Sequence, residues 1–249
     1  LYGSDAMGGV VNIITKRGMG PPQGFAQVEG GSYGSGSLTG GVHGAAGPWS
    51  YAAAGSFARS DGFSRYGHRV ARIDPALRAT FDADGFHRFG GYGRADYDPG
   101  TGFRFEVGTM ATATRAEFDG GTGRFPDTPN LVFRRFFQAY ARASFETFGG
   151  ALTHSLTTFA NRSERICREV RYGTNQTPPQ TTSPLTEFYG QRAGAEYQGD
   201  LRAGIAGRLT FGARIERETA ETFSERYLPT PIARAPTLGA GQTTQSIFA

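Results

Sequence analysis

A single cysteine, Cys167, stands in 249 residues, so no internal disulfide and no Cys-rich zinc site can form. The four histidines, His43, His68, His87 and His154, show no paired spacing of the kind that brings metal ligands together. No apolar run approaches the ~18 residues that a membrane helix requires, and mean hydropathy is −0.40. Leucine and isoleucine are scarce. Charge of one sign is not concentrated: 26 Lys and Arg face 22 Asp and Glu, a net +4. The basic residues are mostly arginines, spread among acids, so no nucleic-acid-binding stripe exists and no nucleic-acid partner is expected. Ser, His and Asp are present, but no Gly-x-Ser-x-Gly nucleophile motif appears. The chain is expected to be no enzyme and to hold no cofactor. No signal-peptide pattern opens it.

Glycine and aromatic residues are abundant, with 38 Gly, 20 Phe and 11 Tyr. The glycines follow no Gly-X-Y period, which excludes collagen. Several segments alternate with period two. In Phe103–Ala113 the odd positions are Phe103, Phe105, Val107, Thr109, Ala111 and Ala113, and the even ones include Arg104, Glu106 and Gly108. Phe137–Phe145 and Leu209–Ile215 repeat the pattern, and 88–97 and 189–197 follow it with weaker apolar faces. One apolar face and one charged or small face make a strand with one side in a nonpolar medium. Leu152–Asn161 is mixed and assigns no face. Strands are expected at 24–33, 36–45, 49–59, 86–97, 102–116, 133–146, 151–165, 187–201 and 208–221, with a tenth from Thr243.

Connection lengths add a second argument. Ala46–Pro48, Asp98–Thr101, Thr147–Gly150 and Ala203–Gly207 are short, whereas Ser60–Gly85, Glu117–Val132, Ile166–Thr186 and Thr222–Gln242 are long. Short and long alternate, as in an up-and-down membrane barrel with tight periplasmic turns and long extracellular loops. Only the first outer connection, Tyr33–Ser35, departs by being short. A soluble sandwich has no reason to sort its loops so.

The first residues, Tyr2-Gly3-Ser4-Asp5-Ala6-Met7-Gly8-Gly9-Val10-Val11-Asn12-Ile13-Ile14-Thr15, read as a glycine turn followed by a short buried strand. This run resembles the closing segment of the plug domain in TonB-dependent outer-membrane receptors, of the siderophore, cobalamin and colicin-receptor type. Tyr2, Gly3, Ser4, Asp5, Gly8, Gly9 and Asn12 carry the resemblance. It implies an all-β antiparallel transmembrane barrel preceded by the last plug strand, of which this chain would hold about nine or ten of ~22 strands. The domains would be 1–18 (end of the plug), 19–23 (linker, with Pro21-Pro22) and 24–249 (the first part of the barrel). On this reading the chain begins inside a plug and stops within a strand. The resemblance further implies energised transport of a scarce nutrient across the outer membrane of a Gram-negative bacterium. The cargo would be a ferric siderophore first, with cobalamin or haem as alternatives. Partners would be the TonB–ExbB–ExbD complex, reached through a region upstream, and outer-membrane lipid with lipopolysaccharide. A passive porin and a soluble β-rich binding module or adhesin are the rival readings.

Several motifs have plainer explanations. Gly30-Gly31-Ser32-Tyr33-Gly34-Ser35-Gly36 has no following helical pattern and reads as a tip between strands rather than a phosphate cradle. Asn161-Arg162-Ser163 and Asn175-Gln176-Thr177 match the glycosylation triplet by chance. The stretch around Arg59, Asp61, Phe63, Arg65, Tyr66 and His68 opens the longest loop and combines rings with charges. These six are the candidate outer-loop ligand contacts. Arg94, Arg104, Arg142, Arg192, Arg208 and Arg214 fall on the polar face with Asp96, Glu106, Glu196 and Glu216. Pairing that stitches the wall and holds a plug is favoured there over a basic lumen that attracts anions.

Overall fold

A computed structural model describes residues 17–64, 82–119, 129–169, 171–172, 181–227 and 235–248. Its strands are β1 (Gln23–Gly30), β2 (Gly36–Ala46), β3 (Trp49–Ser60), β4 (Phe86–Tyr97), β5 (Phe103–Phe118) and β6 (Asn130–Thr147). There follow β7 (Leu152–Arg168), β8 (Arg171–Tyr172), β9 (Thr181–Arg202), β10 (Arg208–Tyr227) and β11 (Ala235–Phe248). Ten of them form one antiparallel sheet in the order β1-β2-β3-β4-β5-β6-β7-β9-β10-β11, and the two-residue β8 pairs with the start of β9. Apart from the short β8, which the β7–β9 pairing skips, each strand pairs with its sequence neighbour, which is an up-and-down meander.

Turn chemistry sets the short ends. Ser32-Tyr33-Gly34-Ser35 joins β1 to β2, with Tyr33 at φ 59° and Gly34 at φ 60°. Ser35 N–H donates to Ser32 O at 3.1 Å. Positive φ at both central residues is a type I′ turn, whose twist matches that of paired strands. The β2–β3 and β4–β5 turns lie side by side, linked by Asp98 N–H to Pro48 O at 2.8 Å. Gly47, Gly100 and Gly102 supply the left-handed positions there.

The strand register sorts side chains into two faces. One row runs Trp49–Tyr97–Phe105–Ala143–Leu156–Tyr197–Ala213. A row of the other parity runs Ala52–Arg94–Gly108–Tyr140–Phe159–Gly194–Glu216. The first face is apolar and exposed: Trp49, Phe57, Phe89, Phe137, Phe145, Leu156 and Ile215 are each at least 42% accessible. The second carries most of the buried polar groups, among them Asp96, Glu106 and Asp200. Among the described residues Ala52 is the sole buried apolar side chain. A water-soluble layered domain buries its apolar faces against one another; here the apolar face is uncovered.

The ten strands expected from residue 24 onward are present, with different ends, and the short strand expected in the opening run lies outside the described residues. β1 stops at Gly30 rather than residue 33 because Ser32–Ser35 form the I′ turn. β9 starts at Thr181 rather than 187, β10 runs to Tyr227 rather than 221, and β11 starts at Ala235 rather than near Thr243. β7, whose composition assigns no face, is fixed by its neighbours. Leu156 lies opposite Ala143 and Tyr197 on the apolar face, and Phe159 lies opposite Tyr140 and Gly194 on the polar one.

Candidate functional site

The polar face concentrates the interacting charges. Asp96, near the end of β4, is 2% exposed. It accepts hydrogen bonds from Arg17 Nη2 at 2.7 Å and from Arg94 Nη2 at 2.9 Å. Arg94 also donates to Glu106 Oε2 on β5 at 2.7 Å, and the Tyr140 hydroxyl on β6 donates to Glu106 Oε1 at 2.7 Å. Two acids, two guanidiniums and a phenol thus tie three strands and the segment before β1 together. The Tyr140 ring crosses the strand directly over Gly108, where a Cβ would collide with it; a glycine is required for that approach.

A second network lies further round the sheet. Glu216 accepts from Arg192 Nη2 and from Arg214 Nη2, each at 2.6 Å, and Arg214 Nη1 reaches Glu196 at 3.3 Å. The Arg214 guanidinium sits 4.8 Å above the Phe159 ring, a favourable cation–π placement. At the short-turn end Asp200 accepts from Thr210 and Gln198 and pairs with Arg208. Asp98, outside the strands, accepts from Arg104 and from the Gly100 N–H. These donors hold its carboxyl below the usual carboxylate range, with Arg104 the main cause.

Five of the six polar-face arginines expected to stitch the wall are paired with acids, and Arg142 donates instead to Thr157 at 3.0 Å. The favoured reading of this face, compensated pairing, therefore matches the geometry. Arg17 joins this face from outside the strands. It lies 79 residues from Asp96 in sequence, and no periodicity marks it.

Of the candidate outer-loop contacts, Arg59 projects on the apolar face beside Phe57, away from the face of Asp96. Asp61 and Phe63 instead close over the β1–β2 turn. Asp61 N–H donates to Tyr33 O at 2.9 Å, and the Phe63 and Tyr33 rings lie 5.2 Å apart. The Asp61 carboxylate packs so closely on Gly34 that no side chain fits there. Arg65, Tyr66 and His68 lie outside the described residues, as do Tyr2, Gly3, Ser4, Asp5, Gly8, Gly9 and Asn12. Among the described residues no three His, Cys, Asp or Glu side chains converge to hold a metal.

No protein-family model matches the chain, and no curated protein matches it in sequence. Solved structures do. The ferripyoverdine receptor of the outer membrane of Pseudomonas aeruginosa, bound to ferripyoverdine, superposes with a TM-score of 0.65 at 12% identity. The match covers 93% of this chain and 34% of that one. The FpvAI–pyocin S2 complex gives 0.64 at 11% identity, over 93% and 35%. Both neighbours are TonB-dependent outer-membrane receptors. The chain has the fold of their β-barrel wall. It spans about a third of the receptors' length, so the receptor fold is matched along one arc of the wall. The two charge networks sit on that wall's polar face, and the exposed rings sit on its other face.

Proposed function

We propose that this chain is part of a TonB-dependent receptor that takes up a scarce nutrient, a ferric siderophore first, across the outer membrane of a Gram-negative bacterium. Cobalamin or haem are the alternative cargoes. The observation that carries the reading is the two-faced meander: an uncovered apolar face suited to lipid and a compensated polar face suited to a filled lumen. Loop sorting and the plug-like opening run support it from the sequence. Residues 1–18 are read as the end of a plug, 19–23 as the linker and 24–249 as barrel wall. The Arg17–Asp96 pair fits a plug end tied to the wall.

On this reading the protein does no chemistry on its cargo. Binding at the outer loops is followed by a pull from TonB–ExbB–ExbD on the plug, and the proton gradient of the inner membrane drives release. Lipid and lipopolysaccharide surround the wall. Uptake of radio-iron loaded on candidate siderophores, in cells lacking and then regaining the full-length gene, tests it. Uptake should require the gene, TonB and the proton gradient. A solute flux that persists without TonB would replace this reading with the porin.

A further inference from the structure

The polar face changes character along the strands. In its middle and toward the short turns, arginines are met by acids. Toward the long connections, from β4 to β9, one row runs Arg88–Thr114–Arg134–Arg165–Phe188. Arg134 and Arg165 lie directly opposite each other on β6 and β7. The same-face rows to either side are Gly90–Thr112–Phe136–Ser163–Gly190 and Phe86–Ala116–Val132–Cys167–Thr186. None of the three rows contains an acid. All three arginines are exposed. Among the described residues, no ion pair reaches any of them.

Like charges directly opposite each other on one face of a strand pair destabilise it. Further down the same face Glu106 and Glu216 compensate their arginines, so the wall has the means to avoid such a contact and here does not use it. Arg165 is also held in place, with its Cζ 4.0 Å from the centroid of the Phe188 ring. The ring occupies one face of the guanidinium, and the N–H edge stays available to an acceptor. Thr112, Thr114 and Ser163 add hydroxyls to the same patch. The arginines spread over three strand spacings, ~14 Å, a span that suits a small molecule rather than a protein surface.

We infer that this row is the wall side of a binding site for a net-negative metal chelate, with carboxylate or other oxyanion oxygens on Arg134 and Arg165 and Arg88 as a third cation. The fork of a guanidinium matches a carboxylate in two parallel hydrogen bonds. The inference rests on the receptor reading and narrows its cargo, because a neutral or cationic chelate would leave three exposed guanidiniums uncompensated. On that reading the row faces the lumen just inside the outer loops, where entering cargo meets the wall.

Fluorescence quenching of the full-length protein in detergent, titrated with ferric citrate, a ferric tris-catecholate and a neutral ferric tris-hydroxamate, tests the site. One of the two anionic chelates should bind more tightly than the neutral one. Arg134→Gln combined with Arg165→Gln should weaken that binding about tenfold and lower cellular uptake of the same chelate. The pair Arg134→Lys with Arg165→Lys, which keeps the charge, should retain part of both. In urea unfolding the Gln pair should be at least as stable as the wild type, since the like-charge contact is gone. Tighter binding of the neutral chelate, no binding of either anionic one, or wild-type affinity in the Gln pair would each overturn the inference. So would a marked loss of stability in the Gln pair, because the row would then be paired with acids elsewhere in the full-length protein. TonB-dependent uptake of a neutral chelate alone defeats this inference and leaves the receptor reading standing. Uptake that persists without TonB defeats both.

Discussion

Asp96 holds two cations at once. It is buried, and its oxygens are shared between Arg17 and Arg94, so removing it leaves Arg94, 11% exposed, with Glu106 as its remaining acid and frees Arg17, 34% exposed. Breaking a buried pair from one side costs more than the pair contributes, because the remaining charge stays desolvated with less compensation than before. Asp96→Ala should therefore lower the stability of the full-length protein by about 2–3 kcal/mol, and Asp96→Asn by about half that, in urea unfolding from vesicles. A double-mutant cycle with Arg17→Gln should show coupling, since both changes remove the same contact. Asp98 makes a contrasting case. It is exposed at the turn, and its folded-state acidity is increased chiefly by Arg104. A carboxyl depressed in the folded state stabilises the fold above its ordinary titration range, and that contribution is lost as pH falls through the lower folded value. The stability gap between the wild type and Asp98→Asn should accordingly be present at neutral pH and close in acid, and Arg104→Gln should move the Asp98 titration up toward ~3.9. A gap unchanged down to strong acid would remove the Arg104 contact as its cause.

At the scale of the strand, the two faces differ in what they tolerate. Ala141 lies midway between Phe145 and Phe137 on the apolar face of β6, and Gln138 lies on the polar face of the same strand. Arginine at the middle of a lipid-facing band costs ~2–4 kcal/mol, and lumen positions cost far less. Ala141→Arg should lose about that much in vesicle unfolding experiments while Gln138→Arg loses under ~1 kcal/mol; equal costs would mean that the faces are misassigned. This same contrast explains which strands sequence could reveal. Phe103–Ala113 is legible because its two sides meet different media, so the alternation is written into residue type. The outer part of β10, Glu221-Thr222-Phe223-Ser224-Glu225, is not legible, because beyond the apolar band both sides meet water and the alternation fades. The mixed β7 needed its neighbours, since only register tells Leu156 from Phe159. Of the charge networks, Arg94–Asp96 and Arg214–Glu216 follow from their spacing of two along one strand. Arg94–Glu106 and Arg192–Glu216 need the cross-strand register, and Arg17–Asp96 needs the whole fold.

At the scale of the whole molecule, the sheet formed by the described residues is open. Among the described residues β1 pairs only with β2, and β11 only with β10, so each presents an edge to which no described strand pairs. In water such an edge is an aggregation hazard. In hydrocarbon each unsatisfied N–H or C=O costs several kcal/mol, so only a closed barrel spans a membrane. The polar-face networks stitch neighbours within the arc but cannot close it. The receptors with this wall fold are about three times as long as the chain. Residues 1–249 produced alone should therefore fail to form a heat-modifiable, protease-resistant species in lipid vesicles, whereas the full-length gene product should form one under the same refolding conditions. On the receptor reading, supplying the rest of the barrel as a second polypeptide should restore some resistance, because its strands would pair both edges. If residues 1–249 inserted alone as a protease-resistant monomer, the arc would have to close on itself, and a smaller barrel without room for a plug would replace the receptor wall.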